Sequence, residues 1–135
     1  IPDRFKNRKS FTPKGLTLKE IKSTFPSAKI FYFPLQFEPE MSILAYSPFF
    51  KDQIEIIRLI SINLKTNDLI VLKENPKMLN IREKEFYEKI SVFNNVVWIN
   101  PSEESTYIIE NSYKVISISG TATIESACLG VDSIL

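Results

Sequence analysis

The stretch with the most chemical promise in this 135-residue chain is Lys114-Val115-Ile116-Ser117-Ile118-Ser119-Gly120-Thr121-Ala122-Thr123-Ile124-Glu125. An apolar, β-branched run breaks at a glycine into hydroxyl residues and then adopts helical spacing. A parallel strand that hands over to a helix in this way leaves free amide hydrogens at the helix start, and these can hold a phosphate. Gly120 allows the backbone to approach an anion closely, and the hydroxyls of Ser119, Thr121 and Thr123 can donate to its oxygens. The same hydroxyls would serve equally well as ordinary helix caps. Glu125, one turn further on, suits a hydrogen bond from a ribose diol or a plain surface position.

Three other polar clusters follow apolar runs: Gln36 with Glu38, Lys73-Glu74-Asn75-Pro76, and Pro101-Ser102. Lys73 could neutralise phosphate charge or simply be solvated. Glu74 would serve as a base only with a raised pKa. Histidine is absent, so histidine-based triads, histidine general bases and histidine-bound metals are excluded. No cysteine-rich zinc spacing or paired carboxylates at ligand spacing replace them, so no metal or other cofactor is expected.

The elements that must carry these clusters alternate between strand and helix. Strands are expected over residues 29–35, 68–73, 96–99 and 115–119, with a fifth starting at 133. The apolar spacing of Ile54, Ile57, Ile60 and Leu64 predicts a long helix from Phe50 to near Asn67. A second helix buries Phe86, Tyr87 and Ile90, and a third starts at Pro101-Ser102-Glu103-Glu104 with a hydroxyl cap and turns Ile108 and Ile109 inward. A fourth buries Ile124, Ala127 and Cys128 before Gly130. Apolar strands separated by amphipathic helices predict an α/β fold, an open parallel sheet with helices on both faces. In such sheets ligands bind at the carboxyl ends of the strands, which would line all four polar clusters along one edge.

Composition agrees with a globular domain: 44% of residues are hydrophobic and 24% charged. The division expected is a basic linker with a short helix (Thr17 to Phe25) over residues 1–28, and a ligand-binding domain over 29–135 truncated at its carboxyl end. Net charge of +1 offers no field to attract nucleic acid. Arg4, Lys6, Arg8, Lys9 and Lys14 crowd the start of the chain, which suits either a solvated linker or peripheral contact with an anionic membrane. No spanning helix or secretory signal is visible, and Cys128 stands alone, so a cytoplasmic location is expected.

Taken in order, Phe33-Pro34-Leu35-Gln36-Phe37-Glu38-Pro39-Glu40, Val71-Leu72-Lys73-Glu74-Asn75-Pro76, Asn95-Val96-Val97-Trp98-Ile99-Asn100-Pro101 and the Ile118 to Glu125 segment resemble the bacterial capsule polysaccharide biosynthesis proteins. That family includes Kdo transferases. The resemblance implies the carboxyl-terminal, Rossmann-like half of a GT-B glycosyltransferase, with a missing amino-terminal acceptor domain as partner. It implies a nucleotide sugar, with a CMP-linked sugar as one candidate, and a glycan acceptor. Gln36 matches the glutamine of the family's proline-leucine-glutamine loop; Ser119, Gly120, Thr121 and Glu125 match its nucleotide-holding motif; Ser102 and Ser105 match the loop near base and ribose. The sequence departs from the family at Asn75, where histidine is usual, and at Thr123, where glycine is frequent. Asparagine can donate to a phosphate but carries no imidazolium charge. A sugar-nucleotide epimerase half-domain and a non-catalytic scaffold are the alternatives.

Overall fold

The computed structural model describes residues 12–35 and 53–116, together with the backbone of residues 133–134. The expectations placed on Gln36, Glu38, Ser119, Gly120, Thr121, Thr123, Glu125, Cys128 and the first eleven residues lie outside the described residues. Strands β1 (Ile30–Pro34), β2 (Leu69–Lys73), β3 (Val96–Trp98), β4 (Lys114–Ile116) and β5 (Ser133–Ile134) form one sheet in the order β3-β2-β1-β4-β5. Every pairing is parallel.

The continuous apolar runs are explained by burial on both faces. Ile30 and Tyr32 of β1 and Leu69 and Val71 of β2 enter one core layer, where they meet Leu18 and Ile21 of helix α1 (Leu18–Thr24) and Ile108 and Ile109 of helix α4 (Ser105–Glu110). The alternate residues Phe31, Phe33, Ile70 and Leu72 enter the other layer, against Ile56 and Ile57 of α2 (Gln53–Asn63) and Ile90 of α3 (Lys84–Ile90). Helices therefore cover both faces, as expected from the sequence. Crossover handedness explains which helix goes where. The chain steps outward from β1 to β3 through α2 and α3 on one face, then reverses to β4 through α4. A right-handed crossover in the reverse direction must use the opposite face.

Residues preceding β1 join the same core, since Leu18 and Ile21 are fully buried. A capping box starts α1: the Thr17 hydroxyl accepts from Glu20 N and the Glu20 carboxylate accepts from Thr17 N. Ahead of it, Leu16 bridges to Ile99 at the outer edge of β3, donating to Trp98 O and accepting from Asn100 N. Gly15 sits at φ +69°, and a Cβ there would lie 2.5 Å from the Ile99 carbonyl carbon, so a side chain is barred by both conformation and space.

Two helix boundaries differ from expectation. The long helix stops at Asn63 and not near Asn67, because residues 64–68 turn, with Asp68 N donating to Lys65 O to bring the chain into β2. The helix expected at Pro101-Ser102 begins only at Ser105, and Ser102 is not its cap. Asn100 Oδ1 instead accepts from both the amide and the hydroxyl of Ser102, which holds residues 100–102 in a turn of their own.

Candidate functional site

All strands point the same way, so the segments after β1, β2, β3 and β4 leave from one edge of the sheet. Strand order reverses between β1 and β4, which pair directly through Phe31 with Lys114 and Tyr32 with Val115. The crevice at such a reversal is where open α/β sheets bind ligands. Of the residues singled out in the sequence, Lys73, Glu74, Asn75, Ser102 and Ser105 are described, and they lie on the β2 and β3 side of that crevice.

Lys73 closes β2, paired with Pro34 of β1. Its ammonium donates to Glu103 O at 2.6 Å and to Ser105 Oγ at 3.3 Å, and the Tyr32 hydroxyl reaches the same Ser105 oxygen at 3.5 Å. Lys73 and Ser105 are thus brought together, with the cation held at the carboxyl edge. Ser102 stands apart, exposed on the β3 turn. Glu103 faces another way, its carboxylate accepting from Leu18 N at the start of α1.

Asn75 touches the end of β1. Its Nδ2 donates to Leu35 O at 3.4 Å while its Oδ1 accepts from Lys77 N, capping the 3₁₀ turn Pro76–Met78. Leu35 N in turn donates to Lys73 O. The segment carrying Asn75 is therefore tied to the residue immediately before Gln36.

Glu74 is a structural anion and not a general base. Its carboxylate is 1% exposed and accepts from Arg82 Nε at 2.9 Å, Arg82 Nη2 at 2.8 Å, Tyr87 OH at 2.8 Å and Asn75 N at 2.8 Å. A carboxylate with four donors on its two oxygens has no lone pair left for a substrate proton. Arg82 also lies over the Phe86 ring at 4.2 Å. The Tyr87 hydroxyl gives its proton to Glu74, so Thr12, 3.2 Å away, is the donor to the tyrosine oxygen. The Tyr87 hydroxyl is pushed up to about 12, mainly by burial, with the hydrogen bond to Glu74 and its charge adding to the rise and the Thr12 hydrogen bond and the Arg82 charge opposing it. Tyr87 packs edge-on against Trp98 of β3.

Sequence reasoning placed Tyr87 on an apolar helix face and passed over Arg82 and Thr12. Thr12 fell in the stretch read as linker; that Arg82 and Tyr87 share Glu74 as a partner, with Thr12 on the Tyr87 hydroxyl, is apparent only in three dimensions. Among the described residues no cluster of three His, Cys, Asp or Glu side chains could hold a metal ion. No described helix is long and apolar enough to cross a membrane.

No protein-family model matches the chain, and no curated protein matches it. Among solved structures it is similar to KpsC from Thermosulfurimonas dismutans, a β-Kdo 2,7-transferase, with a TM-score of 0.61 and 22% identity, covering 79% of this chain and 32% of that one. It is also similar to the UDP-GlcNAc 2-epimerase of Neisseria meningitidis, solved with UDP-GlcNAc bound, with a TM-score of 0.57 and 20% identity, covering 87% of this chain and 31% of that one. The chain thus spans about a third of the length of either structure. What it shares with them is the fold, a Rossmann-like half of a GT-B architecture.

Proposed function

We propose that this chain is the donor-binding domain of a glycosyltransferase that assembles bacterial surface polysaccharide, a member of the capsule biosynthesis family that its motifs resemble. The observation that carries the reading is the direct pairing of β1 with β4 at the strand-order reversal. The segments continuing from these two neighbours contain Gln36 and the residues Ser119-Gly120-Thr121. In this reading a nucleotide's phosphate is held at those residues by amides and hydroxyls, which stabilise the negative charge that develops as the sugar departs. Glu125 takes the ribose, and Ser105 borders the base.

In this reading Lys73 and Asn75 divide the work that the family gives in part to a histidine. Lys73 supplies the positive charge from the end of β2, and Asn75 supplies a neutral amide donor. The acceptor-activating group belongs to a partner domain. CMP-linked sugars are the favoured donors.

Calorimetry of the folded chain with CMP, UMP and UDP tests the proposal. Heat with CMP is expected, and Lys73→Met is expected to weaken binding about tenfold, the loss of one charge-assisted hydrogen bond. Silence with every nucleotide would remove the donor-site reading. The second reading, a sugar-nucleotide epimerase half-domain, is favoured by the 87% of this chain that the epimerase structure covers. A preference for UDP over CMP would select it.

A further inference from the structure

We propose that a groove on the β3 side of the carboxyl edge is a second binding site, for an acidic pyranose unit of a glycan. The groove, about 470 Å³, lies between residues 12–14, 79–80 and 100–102. Its walls are fastened to one another. Asn80 N donates to the Thr12 hydroxyl at 2.9 Å, and Asn100 N donates to Leu16 O at 2.8 Å. Gly15 presses the approaching segment against Ile99, so the groove is present before any ligand arrives.

Its lining alternates apolar and hydrogen-bonding surface. Pro13, Leu79 and Pro101 offer apolar faces suited to the C–H face of a sugar ring, while Asn100 and Ser102 offer groups that pair with hydroxyls. Asn100 is held fixed, since its Oδ1 accepts twice from Ser102 and its backbone amide is bonded to Leu16. Its Nδ2 makes no hydrogen bond among the described residues and is left as an oriented donor. Lys14 is exposed and likewise has no ion pair among the described residues, which leaves one cation for a carboxylate. A nucleotide fits poorly: among the described residues no aromatic side chain lines the groove to stack on a base, and a single lysine is sparse charge for a diphosphate.

The groove is distinct from the β1 and β4 crevice. Sheet order puts β3 at the far edge, with β2 and β1 between it and β4, a separation of about 10–15 Å at ordinary strand spacing. Choosing a saccharide over other polar ligands rests on the glycosyltransferase reading; the donor, apolar and cationic pattern does not.

Amide NMR of the folded chain, titrated separately with methyl galacturonoside, methyl galactoside, CMP and UMP, tests this. Both sugars should shift the Asn80, Asn100 and Ser102 amides, with the galacturonide about two- to fivefold tighter, the value of one exposed charge pair. Lys14→Gln should erase that preference and leave galactoside binding unchanged. Absence of these shifts with either sugar, a preference that survives Lys14→Gln, or a nucleotide occupying the groove ahead of both sugars would overturn the proposal. The donor reading is tested in the same tubes by the Leu35 and Asn75 amides, which should respond to nucleotide alone. Either proposal can therefore fail without the other.

Discussion

A carboxylate that is 1% exposed is tolerated only when its oxygens are filled, and Glu74 receives four donors from Arg82, Tyr87 and Asn75. Removing one partner strands the other charge in a low-dielectric interior. Arg82→Met or Glu74→Met is therefore expected to cost about 3–5 kcal/mol, whereas the double variant should cost less than either single one. Urea denaturation of the three variants measures this directly. Tyr87 makes a second prediction at the same scale. Its folded-state pKa of about 12 lies above the ordinary tyrosine value of 10.0, so the folded chain favours the neutral phenol. That contribution to stability is complete below pH 10 and is lost as pH rises through 12. Ultraviolet titration of the five tyrosines should show one ionising late, and Thr12→Val should delay it further, because the Thr12 hydrogen bond holds the value down.

Among the elements, the short segment before α1 has the least conspicuous sequence and a large structural share. It covers the outer edge of β3 with two backbone hydrogen bonds from Leu16, which protects an edge that would otherwise offer unpaired groups to another chain. Gly15→Ala should destabilise the fold by about 1–3 kcal/mol through backbone strain, with the steric conflict against Ile99 adding to it. A shift of the urea midpoint with an unchanged slope would bear this out. The helix over Thr17 to Phe25 was legible in the sequence, with Pro26 as its stop, and it forms as Leu18–Thr24. That Leu16 pairs with Ile99 was not legible, because one bridge formed across most of the chain leaves no periodicity to read.

For the molecule as a whole, the proposed division, a donor site on this domain and an acceptor-activating group on another, implies binding without turnover. Chromatography of a CMP-sugar incubated with this chain alone should recover it intact, even where calorimetry registers binding; sugar released by the chain would contradict the division of labour. The sequence by itself determined the parallel strands, the helices on two faces and the absence of histidine chemistry, since burial on both sides of a strand and a 3.6-residue repeat are local patterns. It also marked Lys73 and Ser105, which the fold brings within 3.3 Å of each other. Only the tertiary structure decided the strand order that sets β1 beside β4, the conversion of Glu74 from a candidate base into a buried anchor, and the groove between residues 12–14, 79–80 and 100–102. Each of these depends on partners far apart in the chain, and a carboxylate's role is fixed by the donors that surround it, which spacing along the sequence does not encode.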